Sequence, residues 1–138
     1  MARIFLSTEN TSEPHVVVLR ERLSDEGHVI TTSPLNPSIG PDPRWSGWYA
    51  HGCQDSLASS DVFLAVESRG YRASTWMAIE FDLAWKLWRE KRRPRLFWLQ
   101  GSTEPLPAGL RQYVEDSTPL PLDVGEAVRA VLAAVRDD

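Results

Sequence analysis

The stretch from Val62 to Leu87 decides the fold, and it reads VFLAVESRGYRASTWMAIEFDLAWKL. Its first five residues form an uninterrupted apolar run, which is typical of a strand buried in the centre of a parallel sheet. From near Ser74 to a point before Pro94, apolar residues recur with the period of an amphipathic helix. A buried strand followed by a long helix is the repeating unit of a parallel α/β sheet.

Glu80 lies on the side of this helix where the periodicity predicts an apolar residue. At about 100° per residue, its side chain points about 40° from Trp76. Burial of a carboxylate costs several kcal/mol unless the group is paired, hydrogen-bonded or protonated. The position of Glu80 therefore calls for a ligand, a partner or a catalytic role. A structural ion pair with Arg69 or Arg72, or a solvated carboxylate on a rotated helix, are the alternatives.

Around this unit, short apolar runs alternate with segments of helical period. We predict strands over Arg3–Ser7, His28–Thr32, Val62–Val66 and Arg95–Leu99, and a weaker edge strand over Thr118–Leu122. Further helices are predicted over Glu13–Glu26, Trp48–Ala58 and Asp123–Arg136, with a long loop over Ser33–Gly47. The first helix has Ser12 as its expected cap and Gly27 as its expected stop.

This order of elements predicts a flavodoxin-like α/β fold, a three-layer sandwich with a parallel sheet in strand order 2-1-3-4 and a fifth strand at the edge. The 138 residues are expected to form one domain over residues 1–138. Ligands of such sheets bind beyond the carboxyl ends of the strands. Residues 7–11, 32–48, 67–74 and 100–102 are therefore expected to converge on the site.

Composition narrows the classes of partner. The net charge of −4 provides no electrostatic footprint for nucleic acid, and the six basic residues between Lys86 and Arg95 are interpreted as the cationic end of a helix. The lone Cys53 excludes an internal disulfide and fits a reducing compartment. No segment is long and apolar enough for a signal peptide or a membrane span, so we expect a soluble, cytoplasmic protein without a membrane partner.

The motif Ser74-Thr75-Trp76-Met77-Ala78-Ile79-Glu80 resembles the Ser-x-Trp-Cys-x-x-Glu signature of TIR domains, the Toll/interleukin-1 receptor homology fold. Residues 4–7, 19–23 and 27–29 are similar to the first strand, helix and second strand of that family, so the resemblance covers about residues 3–99. Met77 replaces the cysteine at a packing position. The resemblance implies that Glu80 acts in hydrolysis or cyclisation of NAD, in bacterial signalling or defence. Other members of the family are non-catalytic assembly modules.

Nucleoside 2-deoxyribosyltransferases have a similar architecture and also place a glutamate on the helix after the third strand. They usually carry an aspartate about six residues before that glutamate, where this chain has Ser74. A nucleoside or nucleotide N-ribosyl hydrolase or deoxyribosyltransferase is therefore the alternative enzyme. Both families act at the C1′ carbon of an N-ribosyl bond.

The chemistry at C1′ favours NAD. Nicotinamide leaves as a neutral molecule, so one carboxylate that stabilises the oxocarbenium-like centre suffices, whereas a neutral purine profits from a proton donor. NAD is then a substrate, and no cofactor is expected. We expect aromatic residues to stack on the bases and hydroxyl groups to bind phosphate or ribose, which gives the substrate-binding set Ser7, Thr8, Trp45, Trp48, Tyr49, Ser74 and Trp76. Core packing by Trp48 and turn roles for Ser7 and Thr8 are the alternatives.

Phe81, Trp85 and Trp88 recur at helical spacing on a face separate from Glu80. They predict either a seam for homo-oligomer formation or a helix face covered by the C-terminal segment. His51 and Cys53 have no third ligand at suitable spacing, so no metal site is expected.

Overall fold

The computed structural model describes residues 1–8, 13–32, 53–67, 75–101, 108–121 and 123–136. The strands are β1 (Arg3–Ser7), β2 (Val29–Thr32), β3 (Val62–Val66), β4 (Arg95–Leu99) and β5 (Thr118–Leu120). The helices are α1 (Pro14–Asp25), α2 (Cys53–Ala58), α3 (Thr75–Lys91), α4 (Ala108–Glu115) and α5 (Val124–Arg136). None of the helices in these ranges is both long and apolar enough to cross a bilayer.

The strands form one sheet in the order β2-β1-β3-β4-β5, with every neighbouring pair parallel. In the register, Ser7 of β1 lies opposite Ala65 of β3, and Val66 lies opposite Leu99 of β4. The α/β fold and the strand order that the sequence predicts are confirmed. β1, β3 and β4 also have the predicted bounds, because each is a short apolar run whose residues are nearly all buried.

Helices cover both faces of the sheet and form two separate cores. One core packs α1 and α5 against residues such as Leu6 and Leu64. The other packs α2, α3 and α4 against Phe5, Phe63 and Trp98. Side chains alternate between the two faces of a strand, so consecutive residues within β1, and within β3, belong to different cores. This arrangement confirms the predicted three-layer sandwich.

The end of α1 agrees with the sequence-based prediction, but its start does not. Gly27 has a φ of 87°, its N–H donates to the carbonyl of Ser24, and the N–H of His28 donates to the carbonyl of Leu23. These bonds are the helix-ending motif that favours glycine. The predicted cap, Ser12, is wrong: the N-cap is Glu13, which makes no side-chain capping bond, and Pro14 begins the helix.

Helix α4 is absent from the sequence prediction. Prolines at positions 105 and 107 and the glycine at 109 are loop signals, yet Leu110 and Tyr113 provide a buried face at helical spacing. A proline just before a helix is a start signal, because the first helical N–H groups need no intrahelical partner.

The predicted edge strand is present as β5, with Pro119 at the sheet edge where its missing N–H costs little.

Helix α4 covers Phe81 on the aromatic face of α3, so of the two predicted alternatives the covered face holds for this residue and the oligomer seam does not. Phe81 is 0% exposed, and its ring lies 5.4 Å from that of Tyr113 and 5.1 Å from that of Phe63. Trp85 meets Tyr113 edge-on at 5.4 Å. Trp88 is half-buried, with the Arg92 guanidinium 4.9 Å from its ring centre. Phe81 is a core residue, so it cannot contact a second subunit in this fold.

Candidate functional site

A hydrogen bond joins the end of the first strand to the signature helix. Ser7 is the last residue of β1, and Glu80 lies in the second turn of α3. The Ser7 hydroxyl donates to Oε1 of Glu80 over 2.9 Å, and both residues are 0% exposed. Since parallel strands end at one edge of the sheet, this bond lies at the carboxyl edge, beside the switch point between β1 and β3 where ligands of such sheets bind.

Glu80 is enclosed by protein in this structure. The alternative of a solvated carboxylate on a rotated helix is wrong, because no part of the residue reaches solvent. The alternative ion pair with Arg69 or Arg72 falls outside the described residues. A fully buried carboxylate is costly unless charged or neutral donors surround it, and the Ser7 hydroxyl is one such donor.

The neighbours of Ser7 fix its side chain. Met77 is fully buried one turn before Glu80, and its Sδ lies 3.8 Å from the Ser7 oxygen. Thr8 follows at the same end of β1 and is 3% exposed. Of the hydroxyl residues predicted to bind substrate, Ser7 and Thr8 are therefore buried at the carboxyl edge, and Ser7 contacts Glu80 directly.

Cys53, the first described residue of α2, faces the same enclosed region. Burial, and to a smaller extent the negative charge of Glu80, raises the pKa of its thiol to about 12. A thiol that stays protonated at neutral pH is a poor nucleophile. The protonation of Cys53 therefore argues against cysteine-based catalysis.

Glu67 is a second buried carboxyl group that the sequence analysis did not single out. It is 3% exposed, follows β3 directly, and its Oε1 accepts a hydrogen bond of 3.1 Å from the N–H of Gly101. The backbone N–H of Glu67 donates to the carbonyl of Leu99, which extends the β3–β4 hydrogen bonding by one residue. Because side chains alternate along a strand, the Glu67 side chain lies on the same face of the sheet as Ala65, two residues earlier. The signal was available, because Glu67 is the polar residue that ends the apolar run of β3.

The close approach of the turn after β4 to the end of β3 requires a glycine at position 101. A Cβ atom on Gly101 would lie 2.4 Å from the carbonyl oxygen of Glu67, which is closer than real contacts allow. The turn after β4 therefore approaches the end of β3 without a side chain between them. Glu67 and Gly101 join the carboxyl ends of two central strands.

Several predicted binding residues fall outside the described part of the chain. These are Trp45, Trp48, Tyr49 and Ser74, together with the side chain of Trp76, whose backbone lies in the first turn of α3. Their roles remain predictions. Within the described ranges, no three His, Cys, Asp or Glu side chains cluster as metal ligands.

The chain matches known proteins by structure and not by sequence. No protein-family model matches the chain, and neither does any curated protein. A 2-deoxyribosyltransferase from the psychrotolerant bacterium Bacillus psychrosaccharolyticus superposes with a TM-score of 0.68 at 14% identity, over 97% of this chain and 96% of the other. TIR domains of the RPS4 and RRS1 heterodimer superpose with a TM-score of 0.58 at 12% identity, over 97% and 95%.

The TIR domains of the activated Roq1 resistosome, which recognises the pathogen effector XopQ, also superpose, with a TM-score of 0.55 at 15% identity. Here the match covers 100% of this chain and 74% of the other. The chain shares its fold with TIR domains and with a 2-deoxyribosyltransferase. Both resemblances drawn from the sequence are confirmed at the level of the fold.

Proposed function

We propose that this protein cleaves the bond between nicotinamide and ribose in NAD, with Glu80 as the essential carboxylate. The observation that carries the proposal is the Glu80 carboxyl group, buried at the carboxyl edge of the sheet and hydrogen-bonded by Ser7. A carboxylate in this position is expensive to maintain for stability alone, since an apolar residue would suit the core better. Buried ionisable groups in such positions are candidates for function.

The proposed reaction needs one carboxylate. The bond between C1′ and the pyridinium nitrogen breaks, its electron pair stays on that nitrogen, and nicotinamide leaves as a neutral molecule. Glu80 stabilises the positive charge that develops at C1′, either electrostatically or through a transient ester. Water then completes hydrolysis and releases its proton, or a nucleophilic nitrogen of the same nucleotide attacks C1′ and closes a ring.

The reaction also requires access to Glu80. Because Glu80 is 0% exposed, the atoms that cover it must be displaced before a ribose can reach the carboxylate. Binding energy from the remote parts of a dinucleotide is a suitable source for that displacement. A large substrate is thus better matched to this buried site than a free nucleoside.

Cleavage or transfer at a neutral nucleoside is the second candidate. It is favoured by the higher TM-score of 0.68 with a 2-deoxyribosyltransferase over nearly the full length of both chains. A neutral base leaves more easily when it is protonated, so this chemistry profits from a second acid. Glu67, buried at the same edge and on the same face as Ala65, is the carboxyl group that would supply it.

Self-association is a further part of the proposal. The TIR domains that share this fold occur in a resistosome and in a heterodimer. We propose that this chain also assembles with copies of itself, through a surface other than the one around Phe81. If the protein cleaves no substrate, such an assembly role in signalling is the remaining function.

A substrate panel tests the proposal. The purified protein is incubated at high concentration with NAD, nucleoside monophosphates and deoxynucleosides, and free base is measured by chromatography. We expect nicotinamide release that Glu80→Gln abolishes and that Glu90→Gln, on the exposed surface of the same helix, leaves intact. Release of base from nucleosides alone favours the second candidate. No release from any substrate, even after induced oligomerisation, contradicts both.

A further inference from the structure

We propose that Ser7 is a positioning residue that holds Glu80 as an oriented, ionised carboxylate, and that it does not bind the substrate. This inference rests on the proposed function for its catalytic consequence. The hydrogen bond itself is present in the structure, so the role can be tested separately. The proposal replaces the sequence-based expectation that the Ser7 hydroxyl binds phosphate or ribose.

The sheet, not a loop, fixes the Ser7 hydroxyl. Ser7 lies in β1, which is hydrogen-bonded to β2 on one side and to β3 on the other, with Ser7 opposite Ala65. Glu80 is 73 residues away in sequence, on a helix that packs against this sheet. The bond therefore ties the carboxylate to a central strand of the sheet, and a site built on a regular element is placed more precisely than one on a loop.

The hydroxyl has one proton to donate, and among the described residues it lies near the acceptors Glu80 and Met77. Oε1 of Glu80 is 2.9 Å from the Ser7 oxygen and Sδ of Met77 is 3.8 Å from it. A thioether is a weak acceptor, whereas a hydrogen bond to a carboxylate is short and strong, so the proton goes to Glu80. Met77 then acts by packing, because it restricts the space in which the Ser7 side chain can rotate.

This donation favours the charged form of Glu80. A hydrogen bond to a carboxylate stabilises the ionised state, while burial opposes it. From α2, the Cys53 thiol also interacts with Glu80, but its pKa of about 12 keeps it neutral near pH 7. Ser7 is thus a group that supports the charge of Glu80 in the pH range where an enzyme works.

Titration of Glu80 tests the proposal. Carbon-13 NMR of labelled glutamate side chains follows the carboxyl groups with pH, and Glu80→Gln assigns the Glu80 signal. We expect Ser7→Ala to raise the Glu80 midpoint by about one to two pH units, since it removes a hydrogen bond to a charged group. Ser7→Cys, which places a somewhat larger and weakly donating thiol at the same position, should cause a smaller rise.

The matched control is Ser60→Ala. Ser60 is also buried, at 5% exposure, and its hydroxyl donates to the Ser56 carbonyl over 2.7 Å, before the start of β3 and so at the opposite edge of the sheet. This variant should leave the Glu80 midpoint unchanged. An unchanged midpoint in both Ser7 variants overturns the proposal, as does an equal rise in Ser60→Ala.

Kinetics then separate positioning from binding. If NAD is cleaved, Ser7→Ala should lower kcat about 10- to 100-fold with little change in KM, and the acidic limb of the rate profile should move to higher pH. A rise in KM at constant kcat would assign Ser7 to the substrate and overturn the proposal. A shifted Glu80 midpoint in a protein that cleaves nothing supports the role of Ser7 and refutes the proposed function instead.

Discussion

At the scale of single residues, the folded structure raises the pKa values of three side chains, Cys53, Tyr113 and Lys86. The pKa of the Cys53 thiol is raised to about 12 by burial and by Glu80, from an ordinary value of 9.0. The pKa values of Tyr113 and Lys86 are raised as well, the first chiefly by burial and the second chiefly by its hydrogen bond to Asp82. Each of these groups binds its proton more tightly in the folded chain than in the unfolded one.

Alkaline pH should therefore destabilise the fold. A group whose pKa is higher in the folded state contributes stability below its unfolded pKa and loses that contribution as pH rises through the folded value. For Cys53, the free energy of unfolding should fall as pH rises from about 9 towards 12. Urea unfolding at several pH values is the measurement, and Cys53→Ala should flatten the decline. A decline of equal slope in both proteins would contradict the assignment.

At the scale of elements, the packing of α3 under α4 determines which of its aromatic residues belong to the core. Phe81→Ala should destabilise the protein by about 3 to 5 kcal/mol, because it opens a cavity among Phe63, Trp98 and Tyr113. Val18→Ala, on the exposed side of α1 at 43% exposure, should stay within about 0.5 kcal/mol. Chemical denaturation measures both. Equal, small effects would mean that α4 does not cover α3.

The close approach between the ends of β3 and β4 can be tested at Gly101, with Gly109 as the control. Gly101→Ala places a Cβ 2.4 Å from the Glu67 carbonyl oxygen, so the turn must shift, at a cost of about 1 to 3 kcal/mol. Gly109→Ala in α4 meets nothing within 4 Å and should be neutral or slightly stabilising, since alanine favours a helix. Thermal unfolding compares the two variants. A Gly101→Ala protein as stable as the parent would show that the close approach is not required.

The elements that the sequence predicted are those whose signal is local. β1, β3 and β4 are apolar runs, and Gly27 ends α1 by its own backbone preference. Helix α4 was missed because prolines and a glycine near its start are loop signals until the buried partners of Tyr113 are known. The same limit holds at the site. Glu80 stands out in its helix, but its bond to Ser7 spans 73 residues, and no local pattern reports such a contact.

At the scale of the whole molecule, the two cores share one sheet. Adjacent residues of β1, such as Phe5 and Leu6, belong to opposite cores, so neither core can be lost without disrupting the strands that support the other. We expect residues 1–138 to unfold as one cooperative unit. Far-ultraviolet and near-ultraviolet circular dichroism should give coincident transitions in urea. Two separate transitions would divide the chain into independent units.

The central claim is that the Glu80 carboxyl group meets the sugar carbon at the carboxyl edge of the sheet. The most direct measurement is a crystal structure of Glu80→Gln with NAD at saturating concentration, because the variant keeps an acceptor for Ser7 but stops turnover. The account predicts that C1′ of the nicotinamide riboside lies about 3 to 3.5 Å from the side-chain oxygen of residue 80. A nucleotide bound elsewhere, with residue 80 still enclosed by protein, would contradict it.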